Sequence, residues 1–524
     1  MFRSSGPGLL ALLAAATLPA AGCIWIFHHV EVASVSRPAD SVAVESPVKA
    51  HLANGFTVVY PQGVRVVGDT VRGSGTRYDL QLRDATPVSQ VPLDSVVAME
   101  SFETRVDAGT SFAVSTLVSV GVPALAIAIY CATNPKCFGS CPTFYSDTGG
   151  GLALEAEGFS YSIAPLFEAR DVDRLRAQAD ARGELRLEVR NEAIETHYLN
   201  QLALLEVRHH ADEFLLPNDA GEPLAVRHLA PPATARDRAG RDVRQELAAA
   251  DGVAYRTDSA TLATVRPGDV GDFVDLTFPA PAGADTVALV LRLRNSLLNT
   301  VLLYDLMLGT RGARALDWVG KDLERVGPAV ALGQWYATRM GLRISVWDGS
   351  RYREVSRISD TGPVAWKDVA AVVPVPQGDS VRLRLAFVAD NWRIDRVALA
   401  GAVRRARARE WELARVIGAD GTDDTTARSS LRIADRRYLQ TSPGQRFTAV
   451  FQPGAAPAGD SARTFFLVSQ GYYIEWIRRA WIATGTDPTP FVSSDAQLLA
   501  ALKRWRVDQE DLERRFAATR VPVR

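Results

Sequence analysis

From Pro47 onward, apolar and polar residues alternate in short runs: Val48–Leu52, Gly55–Tyr60, Val64–Val67, Tyr78–Leu82 and Val91–Met99. A period of two places successive side chains on opposite faces of a strand. Ala53-Asn54-Gly55 and Gly73-Ser74-Gly75 separate the runs and read as turns, where glycine supplies positive φ without penalty. The alternation stops at Ala108, and no charged residue occurs from there to Cys131. A helix of that length extends about 36 Å, enough to cross roughly 30 Å of hydrocarbon. Pro123 would kink it, which membrane helices tolerate better than soluble ones.

Beyond Cys137 the two-residue period returns in Leu152–Glu157, Glu184–Arg190 and Leu202–His209, with one helix-like piece at Asp171–Ala181. One unit then recurs three times: a strand, a turn rich in Pro, Gly, Asp and Ser or Thr, and a second strand. The turns are Pro281-Ala282-Gly283-Ala284-Asp285-Thr286, Pro376-Gln377-Gly378-Asp379-Ser380 and Pro457-Ala458-Gly459-Asp460-Ser461. Repetition of this kind predicts consecutive β-sandwiches or one large double sheet. At the end of the chain, Ser494 and Asp495 can cap a helix whose Leu498, Leu499, Leu502, Trp505 and Phe516 form one apolar stripe. That stripe is expected to dock on the rest of the protein.

These patterns predict a mainly β chain: a small SH3-like barrel, an apolar helix, β-sandwich or jelly-roll-like modules, and a C-terminal helix. The expected divisions are a tether at 23–46, the barrel at 47–107, the apolar and candidate transmembrane helix at 108–131, a β-rich domain at 137–310, a jelly-roll-like domain at 311–402, a second β-rich domain at 403–490 and the helix at 491–524. Trp392-Arg393-Ile394-Asp395-Arg396-Val397-Ala398-Leu399 resembles the last strand of galactose-binding-like jelly rolls.

With 524 residues, 47% of them hydrophobic, the chain can bury substantial cores. Its 59 basic and 60 acidic residues nearly cancel, and the basic ones are spread along the chain, so nucleic acid is not an expected partner. Five lysines stand against fifty-four arginines, which reads as the codon usage of a GC-rich genome.

The N-terminus changes the picture most. Arg3, the apolar run Leu9–Leu18 and then Leu18-Pro19-Ala20-Ala21-Gly22-Cys23 resemble the signal peptide and lipobox of bacterial lipoproteins. The resemblance implies a leader over 1–22, acylation at Cys23 and a membrane anchor held by two or more acyl chains. Ile24 after the cysteine implies sorting to the outer membrane, with the bulk of the chain outside the cytoplasm. Export permits disulfides, and Cys131, Cys137 and Cys141 are the candidates, with no pairing fixed by spacing. The Cys137-Phe138-Gly139-Ser140-Cys141-Pro142-Thr143-Phe144-Tyr145 segment, with Ala156–Pro165, Asn191-Glu192 and Glu195–Tyr198, resembles a set of uncharacterised exported bacterial proteins, and the likeness carries no known activity.

Catalytic fingerprints are missing from the sequence. There is no Gly-x-Ser-x-Gly elbow, phosphate loop, dinucleotide motif or His-Glu-x-x-His, so no cofactor or metal is expected. Asp420-Gly421-Thr422-Asp423-Asp424 lacks the spacing of a calcium loop and reads as a solvated turn. Trp335, Trp347, Trp366 and Trp392 are candidate ligand-binding residues, since aromatic faces on a sandwich stack sugars. An exposed cluster of Tyr472, Tyr473 and Trp476 would mark a protein or membrane contact. The expected function is a non-catalytic binding or structural role in the cell envelope, at the outer membrane or its periplasmic face, with the membrane and an envelope protein or glycan as partners. The alternative is a glycan-binding protein or glycan-acting hydrolase with carboxylates drawn from separate strands.

Overall fold

The computed structural model describes residues 41–79, 85–102, 141–454, 461–487, 494–518 and 521–523. The leader, Cys23, the segment 108–131, Cys131 and Cys137 lie outside them. Among the described residues, no helix is long and apolar enough to cross a membrane. The fold is mainly β, as the alternation predicts, with a C-terminal helix.

The N-terminal runs form one curled sheet in the order Ser41–Val44, Val64–Val67, Thr70–Tyr78, Thr57–Tyr60, Val48–Leu52, Val96–Ser101 and Ile477–Arg478, while Thr86–Pro92 also pairs with Thr70–Tyr78. The strand Thr70–Tyr78 runs straight through Gly73-Ser74-Gly75, where the glycines predict a turn. The reason is the fully buried Tyr60: a Cβ on Gly75 would stand 2.6 Å from its ring. The register also slips between Arg72 and Gly75, so these glycines serve close packing and a bulge. Gly75→Val should therefore destabilise the protein by about 1–3 kcal/mol through overpacking. Denaturant unfolding checks this against Gly150→Ala, where an added Cβ meets nothing within 4 Å.

Two antiparallel sandwiches follow. One sheet of the first runs Arg415–Gly418, Arg446–Phe451, Leu185–Arg190, Thr143–Asp147, Leu152–Glu157. The facing sheet runs Ala169–Arg174, Ser461–Glu475, Glu195–His210, Arg409–Glu412, and Leu439–Thr441 also pairs with Glu195–His210. Phe144, Leu187, Leu202, Leu204, Phe447, Phe451, Phe465 and Leu467 fill the space between them. The second sandwich packs Phe214–Pro217, Pro223–Ala230, Trp392–Arg405, Thr286–Asn295 and Lys367–Pro374 against Thr234–Asp237, Gly271–Pro279, Ser380–Val388, Leu342–Trp347 and Tyr352–Ile358. Its core holds Val274, Phe278, Leu289, Leu383, Phe387 and Trp392.

The second sandwich is inserted into the first, which corrects the expected divisions at 310 and 402. Thr286–Asn295 pairs with Trp392–Arg405 across one of them, and Glu195–His210 pairs with Ser461–Glu475 across both. Alternation fixes which face of a strand is buried and is silent on which strand lies beside it. The first two recurrent Pro/Gly/Asp units join strands of opposite sheets, so each is an arch over the edge of a sandwich; the turn of the third lies outside the described residues, and the strands that flank it, Arg446–Phe451 and Ser461–Glu475, belong to facing sheets. The piece Asp171–Ala181 is strand to Arg174 and irregular after it, because Ala169–Arg174 pairs with the strand Ser461–Glu475.

One element was not predicted. Leu298–Arg339 is largely helical, including a π-helical stretch Val301–Leu308. Its Leu298, Val301, Leu302, Leu316 and Val319 join Val48 and Val58 of the N-terminal sheet and Leu498, Leu502 and Trp505 of the helix Asp495–Ala518 in a single core. Ser494 caps that last helix by accepting from the Gln497 amide, and the helix docks on the protein as its stripe predicts. Docking is fixed by Asp390, fully buried at φ +57°. Trp505 Nε1 and Gln509 Nε2 each donate to its Oδ2 at 2.7 Å, and Arg393 donates to its Oδ1 at 2.7 Å.

Candidate functional site

Two places combine open space with chemistry. The first lies where the sandwiches meet. The strand Leu152–Glu157 ends by projecting Glu157 against the loop after Tyr352–Ile358, where Oε2 accepts the amides of Val364 at 2.7 Å and Ala365 at 3.0 Å. Gly362 makes this approach feasible, since at φ +75° a Cβ there would stand 2.5 Å from the Glu157 carboxyl carbon. Asp360, in the same loop, accepts from the Gly362 amide at 2.8 Å, Tyr336 OH at 2.9 Å and Ser160 Oγ at 3.2 Å. These two acids, Cys141, Ser160, Asn299 and Tyr473 line a crevice of about 40 Å³.

Burial pushes the Glu157 carboxyl up to about 8, overriding the two amides that favour its ionised form. Burial raises Asp360 as well. Cys141 is buried and has no disulfide partner among the described residues, and burial, with the nearby Glu195 and Glu157 charges, lifts its thiol well above its ordinary value. A thiol so placed is protonated and a poor nucleophile. The segments that carry the resemblance to exported proteins converge here: Thr143 and Tyr145 both donate to Glu192, and the Asn191 amide side chain donates to Glu195 O. His197 Nε2 lies 2.7 Å from Glu195 Oε1, both residues fully buried. Burial lowers His197 to about 3 and raises Glu195 to about 8, so the histidine is neutral at pH 7.

The second place is one end of the inserted sandwich. A cleft of about 560 Å³ opens beside the arch Pro374–Ser380, lined by Trp347, Asp348, Arg353, Val355, Gln377 and Arg382 among others. Trp347 is half-buried; Tyr352 meets it edge-on with ring centroids 5.3 Å apart, and the exposed Arg382 guanidinium lies 4.9 Å from the ring centre. The Asp348-Gly349-Ser350 turn is pinned by Asp348, whose Oδ1 accepts the amides of Ser350 and Arg351, both at 2.9 Å. A second cleft of about 550 Å³ lies against the strands Tyr352–Ile358 and Lys367–Pro374, lined by Asp219, Arg357, Val372, Arg404 and Arg405 among others.

The four candidate tryptophans do not meet. Trp347 lines the cleft. Trp366 lies under Arg294, whose guanidinium is 4.7 Å from its ring centre. Trp335 packs half-buried against the helical core. Trp392 is fully buried in the second sandwich, its Nε1 donating to Met340 O, so it offers no face to a ligand. Tyr472, Tyr473 and Trp476 are likewise buried, which removes them as a contact patch. Asp420 Oδ1 accepts the Thr422 amide in an exposed turn, in keeping with the solvated reading. Glu157 and Asp360 went unrecognised as a pair because they sit on different sandwiches. The available signal was Asp360-Thr361-Gly362-Pro363, a turn sequence that permits close backbone approach.

No family model matches the chain and no curated protein does. Among solved structures it is similar to a GH31 alpha-xylosidase from Xanthomonas citri at 10% identity and a TM-score of 0.15, covering 83% of this chain and 38% of that one. An exo-beta-1,3-galactanase from Phanerochaete chrysosporium matches at 9% identity and a TM-score of 0.17, over 70% of this chain and 68% of that one. A cycloalternan-forming enzyme from Listeria monocytogenes matches at 10% identity and a TM-score of 0.15, over 69% and 29%. The chain thus spans well under half the length of the first and third, and scores at this level carry no argument about fold or activity.

Proposed function

We propose that this chain is a lipid-anchored protein of the bacterial cell envelope that binds an envelope glycan at the loop end of its inserted sandwich and performs no chemistry on it. The observation that carries the reading is Trp347 in an open cleft, with Asp348, Arg353, Gln377 and Arg382 around it. An indole face packs against the C–H surface of a sugar ring, and planar amide, carboxylate and guanidinium groups bond its hydroxyls. A cleft of about 560 Å³ lies within the usual range for small-ligand sites. The hydrolase reading has Glu157 and Asp360 in its favour. Their crevice of about 40 Å³ takes a water molecule or an ion and excludes a sugar ring, so they cannot flank a glycosidic bond there. The anchor rests on the lipobox ending at Cys23.

Binding of the mature chain to a panel of envelope oligosaccharides, read by calorimetry, tests the site. Trp347→Ala should weaken affinity at least about tenfold, or 1.4 kcal/mol, while Trp366→Ala leaves it unchanged. Equal affinity of Trp347→Ala and the wild type would overturn the assignment, and new reducing ends during incubation would favour the hydrolase. Labelled palmitate should enter the wild type and not Cys23→Ala.

A further inference from the structure

The crevice between the sandwiches gathers oxygen atoms that lack donors. Glu157 is 2% exposed, and its Oε1 has no hydrogen-bond partner among the described residues, although Oε2 holds two amides. Asn299 Oδ1 is buried and also without a partner. Both residues line the crevice, together with Asp360, Ser160 and Tyr473. A buried acceptor without a donor costs about 1–3 kcal/mol, and two acceptors lining one space leave a position that a cation, in place of the Glu157 proton, would satisfy.

We propose that this crevice binds a calcium ion through Glu157 Oε1, Asn299 Oδ1 and the Asp360 carboxylate. The donors are hard oxygens, which select calcium or magnesium over zinc or copper. The one sulfur, Cys141, is a soft donor and a poor ligand for such an ion. Calcium accepts irregular geometry and completes its shell with hydroxyl, carbonyl or water oxygens, whereas magnesium demands a regular octahedron. Among the described residues no three His, Cys, Asp or Glu side chains converge as a metal centre, so the site proposed here has two carboxylates and draws its other ligands from neutral oxygens. Two ionised carboxylates balance the charge of one calcium ion. Because Glu157 lies on the first sandwich and Asp360 on the second, the ion would also tie the two modules together. Calcium and the Glu157 proton compete for the same oxygen, so affinity should rise with pH.

The test uses the full chain after chelator treatment. Calcium at a hundredfold excess over Kd should raise Tm by about 3–5 °C, and terbium should show luminescence sensitised through Tyr336 or Tyr473 that calcium quenches by displacement. Glu157→Gln keeps an acceptor for the Val364 and Ala365 amides, so it should fold, yet it should lose both signals; Asp420→Ala should keep them. Absence of either signal in the wild type would overturn the proposal, leaving a proton where the ion was placed. So would an undiminished response of Glu157→Gln, or a response lost in Asp420→Ala, which would assign the ion to the exposed turn.

Discussion

Asp390→Ala should cost about 3–5 kcal/mol and release the C-terminal helix, because it leaves the mostly buried Arg393 without its closest counter-charge. Trp505 Nε1 and Gln509 Nε2 lose their acceptor in the same step. The backbone adds to the effect, since Asp390 sits at φ +57°, a conformation that aspartate and asparagine tolerate better than alanine. Asp390→Asn retains that tolerance and one acceptor oxygen, so it should lose roughly half as much. Thermal unfolding gives the order of the three proteins, and limited proteolysis should cut first within Asp495–Ala518 in the alanine variant. Equal protease resistance of Asp390→Ala and the wild type would refute the docking role.

In calcium-free buffer, Glu157→Gln should make the protein more stable than the wild type at pH 8. The folded state holds the Glu157 carboxyl up at about 8, against an ordinary value near 4.5. A group raised in this way contributes stability that is complete below the unfolded value and is lost as pH climbs through the folded one. The wild type should therefore weaken between about pH 4.5 and 8, at up to about 1.4 kcal/mol per pH unit for each such group. Glu195, also raised to about 8, adds to the loss. His197 works in the opposite sense: lowered to about 3, it favours the folded state above its ordinary value of 6.5 and loses that contribution as pH falls. The window from 6.5 to 8 thus isolates the acids, Asp173 (raised to about 7) among them, and Glu157→Gln should remove a substantial part of the decline there. Urea midpoints at several pH values measure it; parallel curves for variant and wild type would show that Glu157 is ionised in the fold.

Much of the strand inventory was legible because turn chemistry and alternation agree in it. The strands around the Pro281–Thr286 and Pro376–Ser380 arches are examples, with inward Val274, Leu276 and Phe278 alternating with outward Asp275 and Thr277. The helical insertion Leu298–Arg339 was not legible, because Leu297-Leu298, Val301-Leu302-Leu303 and Leu306-Met307-Leu308 show neither a clean helical nor a clean strand period. Trp392 offers no face to a ligand because in its strand it shares the inward face that also carries Ile394, which alternation alone does not reveal. The crevice could not be foreseen, since pairing Glu157 with Asp360 requires knowing that one sandwich is inserted in the other.

That insertion sets an order of events for the newborn polypeptide. Thr196 accepts from Trp476, 280 positions further on. At the usual 5–20 residues per second, on the order of 15–50 s separates the synthesis of those two partners. Until the later one arrives, Glu195–His210 is a long, greasy ribbon with open edges, the kind of surface that sticks to its own copies. The inner module, whose strands all lie between Phe214 and Arg405, can finish by itself in the meantime. The outer shell then closes last, so holdases would be needed most during that wait, and truncations past residue 409 should yield inclusion bodies rather than shortened soluble protein.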